Sequence, residues 1–236
     1  MTIAVFLTLM GDLADAGQIY AYAKAQLLEL AAASPEVISV DLYRPAPGEV
    51  ALFDDGPGPP LMVQVDVAQV AHAEVLLRSR PWREQLLDVS AYPGSVEAVL
   101  VDVFETVHFK LPGQAAPAQR TAPLSFMVRY FRPTADEKAF VRFYTENHPP
   151  ILATFPGIRN VLCYVPVVWS QPDHVESSGA FLGNEVVFDD LDALNAALSS
   201  DVLPELKADG ARFAPFGHNS HHAMLRETVY LRDPRN

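Results

Sequence analysis

Apolar residues recur along the chain in two patterns, one typical of strands and one typical of helices. Short apolar runs of strand length alternate with longer segments in which apolar residues recur every three or four positions. After the first run, Ala16, Tyr20, Ala23, Leu27 and Leu30 form one apolar stripe, which indicates a helix packed on a sheet. In the first half, the pattern predicts strands at 3–10, 37–44, 61–67 and 97–109, and helices at 13–33, 68–79 and 82–88.

The second half repeats this order of elements. Thr134 and Glu137 form a Thr-x-x-Glu capping box, so we expect a helix that begins there and runs to a stop at Pro149-Pro150. An apolar run at 126–131 precedes this helix and has strand length. The remaining strands are predicted near 158–165, 184–188 and 219–231.

The two halves also resemble each other in sequence. Residues 34–45 align with residues 155–166 at an offset of 121 positions, and the same offset aligns 5–10 with 126–131. Each half therefore has the order strand, helix, strand, strand, helix, strand, which is typical of a ferredoxin-like βαββαβ unit. This repeat predicts an α+β protein built from two such units in one chain.

Two ferredoxin-like units each leave one sheet face uncovered, so we expect the faces to pack together. The predicted fold is an intramolecular α/β barrel with antiparallel sheets packed face to face and helices outside. We expect an N-terminal domain at 1–110, a linker at 111–123 and a C-terminal domain at 124–236. The Pro/Gly-rich stretches 46–60 and 166–183 are either lids over a cavity or simple hairpin loops.

Composition narrows the classes of function. Hydrophobic residues make up 50% of the chain and charged residues 19%, so many strand faces must be covered. The net charge of −12 disfavours nucleic acid and anionic lipid as partners. Residues 1–11 have the character of a strand rather than of a leader, and Cys163 is the single cysteine, which fits a reducing cytoplasm. The motifs of phosphate-binding loops, dinucleotide sites, zinc proteases and serine hydrolases are all absent from the sequence.

A tyrosine and a histidine replace apolar residues in the helix of the second half. The offset of 121 places His148 over Leu27, which faces the sheet in the first half. It places Tyr144 over Ala23, one helical turn earlier. Both side chains are therefore expected to point into one space between helix and sheet. The alternative is that His148 only caps the last carbonyls of its helix.

Other polar side chains lie on the predicted strands. Arg129 and Glu227 are on neighbouring strands of a ferredoxin-like sheet, where they would pair either structurally or next to a cavity. His218 and His222 share one face of a strand but lie roughly 13 Å apart, and His221 faces the other way. We therefore predict no metal site, and we expect His222 alone to reach a cavity.

A strand, an aromatic-rich helix, a His-Pro turn and a Pro-Gly step follow one another at 126–133, 140–144, 148–151 and 155–158. In this order they resemble an EthD-type domain of the dimeric α/β-barrel superfamily. This resemblance implies a pocket between sheet and helices, with the histidine of the family at His148. Relatives in that superfamily include cofactor-free isomerases, cyclases, dehydratases and decarboxylases, quinone-forming monooxygenases, and haem-binding proteins.

Together, these observations predict a cofactor-independent lyase or isomerase that acts on a small hydrophobic oxygenated or aromatic compound. His148 would move a proton next to a carbonyl, Tyr144 would donate to the resulting oxygen, and Arg129 would stabilise its charge. Further substrate contacts are expected from Tyr130, Phe140, His222 and Glu227. The alternatives are a binding protein for haem or a hydrophobic ligand, and a cofactor-free monooxygenase. The protein partner that we expect is a second copy of the same chain, in a homo-oligomer.

Overall fold

A computed structural model describes residues 2–232 of the chain. Within this range, eight strands form a closed antiparallel barrel. The strands are β1 (Thr2–Gly11), β2 (Val37–Pro45), β3 (Leu61–Val67), β4 (Val96–Phe109), β5 (Leu124–Thr134), β6 (Asn160–Pro166), β7 (Ala180–Phe188) and β8 (Phe216–Leu231). The helices are α1 (Ala16–Ala33), α2 (Val70–Arg78), α3 (Arg80–Trp82), α4 (Glu137–Leu152), α5 (Leu191–Leu198) and α6 (Val202–Gly210). Shorter turns of helix occupy Leu13–Asp15, Arg83–Leu87 and Val89–Ala91.

The strands follow one another around the barrel in the order β1-β3-β2-β8-β5-β7-β6-β4, and β4 pairs with β1 to close the ring. The first four and the last four strands are thus each contiguous, and they meet at the β2–β8 and β4–β6 pairs. The α+β class and the antiparallel barrel are confirmed. The two sheets are also hydrogen-bonded edge to edge. This pairing satisfies backbone N–H and C=O groups that the edges of two open sheets would leave exposed.

Three apolar clusters explain why the strands are apolar on both faces. One cluster lies between the first four strands and α1 and α2, and a second lies between the last four strands and α4, α5 and α6. The third fills the barrel interior and includes Phe6, Met62, Met127 and Tyr164. Because side chains alternate along a strand, every strand contributes to an outer cluster and to the interior.

The start and the end of α4 differ from the sequence prediction. Asp136, not Thr134, caps the helix, and its carboxylate accepts a hydrogen bond of 2.9 Å from the Ala139 backbone N–H. Glu137 instead binds Arg132. The helix also continues through Pro149-Pro150 to Leu152, and the Pro149 carbonyl still accepts from the Ala153 N–H at 2.9 Å.

A buried charge network closes one end of the barrel. Arg120, from the segment between β4 and β5, donates to Asp41 at 2.7 Å and to Glu185 at 2.8 Å. Arg226 lies 3.3 Å from the same Asp41. The segment that connects the two halves of the barrel is therefore held by carboxylates from both halves.

None of the helices within residues 2–232 combines the length and the apolar character that crossing a lipid bilayer requires.

Candidate active site

A cavity of about 300 Å³ lies between the outer face of the last four strands and helices α4 to α6. This volume is at the lower end of the roughly 300–1,000 Å³ typical of small-molecule sites. Its walls are mainly apolar and include Phe126, Val128, Tyr130, Leu152, Phe155, Leu206 and Phe213. Phe53, from the loop between β2 and β3, completes the wall and packs 5.5 Å from Phe126, measured between ring centroids. The loop at 46–60 thus covers part of the cavity.

A histidine–aspartate pair forms one polar part of this wall. His148, near the end of α4, has its Nδ1 2.9 Å from Asp209 Oδ2 on α6, and both side chains are buried. A carboxylate partner holds the proton on Nδ1, so Nε2 is left as the basic nitrogen. Burial lowers the pKa of His148, while the hydrogen bond to Asp209 opposes this shift. His148 is therefore neutral near pH 7 and can accept a proton.

The capping alternative for His148 is not what the structure shows, because its Nδ1 bonds to Asp209 rather than to a carbonyl of α4.

Tyr144 lies next to His148, as the helix spacing predicted, with ring centroids 4.8 Å apart. It is fully buried, and its hydroxyl pairs with the side chain of Asn184 on β7. Asn184 lines the cavity, and within the described chain its Oδ1 has no hydrogen-bond partner. Burial raises the pKa of Tyr144 well above its usual range, so the hydroxyl stays protonated. Tyr144 thus positions Asn184 rather than lining the cavity.

A second histidine–aspartate pair reaches the same cavity from the covering loop. His221, on β8, lines the cavity, and its Nδ1 is 2.6 Å from Asp55 Oδ2. Its ring stacks on Phe53 with centroids 4.0 Å apart. Burial lowers the pKa of His221. The sequence placed His221 on the face opposite His222 correctly, but it assigned no role to it.

The other predicted site residues lie in different parts of the structure. Tyr130 lines the cavity, whereas Phe140 packs behind it at 5.4 Å between ring centroids. His222 faces the barrel interior, where it lies with His218 in a different cavity. Among residues 2–232, no three His, Cys, Asp or Glu side chains are arranged to hold a metal ion.

The structure places Arg129 outside the cavity of His148. Arg129 alternates with Val128 and Tyr130 on β5, so it faces the barrel interior and not the helices. Its Nη1 donates to Thr8 at 3.1 Å and lies 3.3 Å from Asp102. The sheet itself separates Arg129 from His148.

The structure does not pair Arg129 with Glu227, because each side chain has a different partner. Glu227 lies on β8 beyond the last residue paired with β5, and its carboxylate is 2.5 Å from Lys24 on α1. It also accepts a hydrogen bond from Tyr20. These hydrogen bonds, with that from Lys24 the largest influence, lower the pKa of Glu227. Glu227 therefore joins α1 to the barrel and does not reach the cavity.

Sequence reasoning missed Asp209, Asn184 and Asp55. Asp209 is 61 positions from His148, and Asp55 is 166 positions from His221. No local spacing connects residues so far apart. Asn184 carried a weaker signal, because Asn184 and Glu185 are the two polar side chains in the mainly apolar strand β7.

Haem, which the superfamily resemblance implies as an alternative, fits the cavity poorly. His148, with its Nδ1 held by a carboxylate, resembles an axial ligand. However, the cavity is small for a porphyrin, and Lys207 is the single Lys or Arg among the described residues that line it. Two haem propionates would therefore share one cation.

Comparison with known proteins confirms the resemblance found in the sequence. The EthD domain model matches residues 132–217, which include Tyr144, His148, Asn184 and Asp209. No curated protein matches the chain.

Solved structures of similar fold cover nearly the whole chain. An anthrone oxidase-like protein has a TM-score of 0.63 at 13% identity, with 97% of this chain and 93% of that chain covered. A proposed monooxygenase from Lactobacillus acidophilus NCFM has 0.55 at 10% identity, covering 98% and 99%. A mutant chlorite dismutase from Candidatus Nitrospira defluvii in complex with cyanide has 0.52 at 11% identity, covering 97% and 91%. At these identities, the likeness concerns the fold alone.

Proposed function

We propose, from the match of the EthD domain model to residues 132–217, that the protein is an enzyme that removes a proton next to a carbonyl group. The substrate is a small hydrophobic oxygenated or aromatic compound, and the reaction is of the lyase or isomerase type without a cofactor. The observation that carries this proposal is the buried pair of His148 and Asp209 in the wall of an apolar cavity.

In the proposed reaction, Nε2 of His148 takes the proton from the substrate carbon. The C–H electron pair forms a C=C bond to the carbonyl carbon, the π pair of the carbonyl moves to its oxygen, and Asp209 stabilises the imidazolium that forms. Turning the Asn184 amide by 180° lets Tyr144 donate to Oδ1 and leaves the NH₂ group free to donate to the new oxyanion. Asn184 thus takes the role that the sequence analysis gave to Tyr144 and Arg129.

The pair of His221 and Asp55 supports an isomerase in particular. An isomerisation returns the proton at a different atom, and a second acid–base group on the same cavity supplies this step. Because Asp55 and Phe53 belong to one loop, the 46–60 segment both supplies the partner of His221 and shields it from water.

We propose that residues 1–110 and 124–236 are two ferredoxin-like units joined by 111–123, which the contiguous strand orders β4-β1-β3-β2 and β8-β5-β7-β6 support. A homo-oligomer stays a prediction, which light scattering of the purified protein tests.

Exchange of substrate protons with deuterium tests the activity. The protein is incubated in D₂O with a panel of small aromatic ketones, phenols and lactones, and loss of the proton signal is followed by NMR. We expect exchange that His148→Ala reduces by about 10²–10⁴-fold and that Asp209→Asn also reduces. His72→Ala, which changes a histidine on α2 far from the cavity, is the matched control. Full exchange by His148→Ala would end the proposal.

A cofactor-free monooxygenase is the second candidate, and the fold shared with the anthrone oxidase-like protein is its support. It begins with the same deprotonation, so an oxygen electrode distinguishes the two. Oxygen uptake that depends on both substrate and His148 favours oxygenation. A Soret band on addition of hemin, lost in His148→Ala, would favour the haem-binding alternative instead.

A further inference from the structure

The open end of the barrel interior contains a second cavity of about 480 Å³. It lies on the opposite face of the sheet from the cavity of His148. Arg129, His222 and Ser220 contribute polar groups to it, and Met10 and Met62 are among its apolar lining residues. Two residues that the sequence singled out, Arg129 and His222, thus meet here.

Arg129 is the distinctive group of this cavity. Its side chain is about nine-tenths buried, with its guanidinium carbon 4.7 Å from the centre of the Phe6 ring. Nη1 is used by Thr8 and Asp102, whereas Nη2 is buried and has no hydrogen-bond partner within residues 2–232. A buried charged donor without a partner is costly, so this geometry favours an acceptor from a ligand.

Asp102 does not depend on Arg129 for its own hydrogen bonds. Its carboxylate accepts from Ser177 Oγ at 2.9 Å, from Ser178 Oγ at 2.6 Å and from the Ser178 backbone N–H at 3.2 Å. The contact with Arg129 is longer, at 3.3 Å, and involves one nitrogen. The guanidinium therefore keeps the capacity to bind a second carboxylate.

Besides Arg129, the ionisable residues that line this cavity are Asp55, His218 and His222. The carboxylate of Asp55 is held by His221, with Oδ2 2.6 Å from Nδ1. Burial lowers the pKa of His222, so its imidazole is neutral near pH 7 and adds no charge of its own. His218 stacks on Phe131 with ring centroids 4.5 Å apart.

A glycine brings the covering loop close to this cavity. Gly58 has a φ of +85°, and a Cβ at this position would lie 2.8 Å from Cγ of His222. The backbone conformation and the close approach both require glycine here. The loop can therefore pack directly on the His222 ring and narrow the cavity entrance.

We propose that this cavity is a binding site for a small apolar carboxylate, separate from the proposed active site. The ligand carboxylate binds Arg129 through Nη2, and its apolar part lies against Met10 and Met62.

The test uses the full-length protein labelled with ¹³C at its methionine methyl groups. Benzoate is titrated as the probe, and benzamide is the neutral control of nearly equal shape. We expect benzoate to shift the Met10 and Met62 signals much more than those of Met127 and Met224, which lie deeper in the interior. Benzamide should shift them at least tenfold more weakly at equal concentration. Equal shifts by both compounds, or no shift at millimolar benzoate, would overturn the proposal.

Two variants change the affinity for benzoate in opposite directions. Arg129→Gln should lose at least tenfold in affinity, whereas Asp102→Asn removes the competing carboxylate and should bind benzoate more tightly. A merely structural Arg129–Asp102 pair predicts that neither variant gains affinity. Should Arg129→Gln not fold, Asp102→Asn and the benzoate–benzamide comparison still decide the question.

His148→Ala separates this site from the proposed active site. It should leave the benzoate shifts of Met10 and Met62 unchanged, since the sheet lies between the two cavities. Loss of these shifts in His148→Ala would instead place benzoate in the cavity of His148 and refute a separate site.

Discussion

The buried charge network around Arg120 provides a prediction that needs no substrate. Arg120→Met removes the cation that contacts Asp41 and Glu185. Asp41 keeps Arg226 at 3.3 Å, whereas Arg120 is the sole cation within 4 Å of the fully buried Glu185 in the described part of the chain. The stability lost in Arg120→Met therefore comes mainly from Glu185, which is left buried without a cation.

Removing one partner of a buried ion pair costs about 3–5 kcal/mol, and the remaining hydrogen bonds to Glu185 favour the lower end, about 3 kcal/mol. For a chain of this length, each kcal/mol lowers Tm by about 2–4 °C, so we expect a decrease of about 6–12 °C. Thermal unfolding followed by circular dichroism measures it.

The matched control is Arg159→Met. Arg159 pairs with Asp189 on the surface, where both side chains are about half exposed, so we expect Tm close to that of the wild type. If Arg120→Met also unfolded within about 2 °C of the wild type, Glu185 would not be a buried carboxylate that depends on Arg120.

Two further predictions concern pH and packing. Burial lowers the pKa values of His148, His221 and His222, so the unfolded chain takes up these protons first as the pH falls. The free energy of unfolding should therefore be highest above about pH 6.5 and decrease through the lower folded-state pKa values, and equal urea midpoints at about pH 7.5 and about pH 5.5 would contradict this. Phe140→Ala should cost about 3–5 kcal/mol in urea unfolding because it empties a buried position behind the cavity, whereas Val168→Ala, at a 98% exposed residue, should be nearly neutral.

The sequence by itself determined the element order and the helix–sheet space that holds His148. Strand and helix periodicities are local properties, so the eight strands were predictable to within a few residues at most boundaries. The internal offset of 121 was also enough to single out Tyr144 and His148, because it compares equivalent positions of two similar halves. The two side chains lie beside each other on the buried face of α4, as that comparison predicted.

The tertiary structure alone decided which polar groups meet. Because side chains alternate along β5, Arg129 and Tyr130 lie on opposite faces of the sheet. Only closure of the barrel places the face of Arg129 in an interior cavity. Asp209 reaches His148 across 61 positions of chain, through the packing of α6 on α4. Such pairs form through contacts between elements that are distant in the sequence, and local sequence patterns do not predict those contacts. The fold could therefore be predicted from the periodicity of apolar residues, whereas the polar partners in the cavity could be identified only from the packed structure.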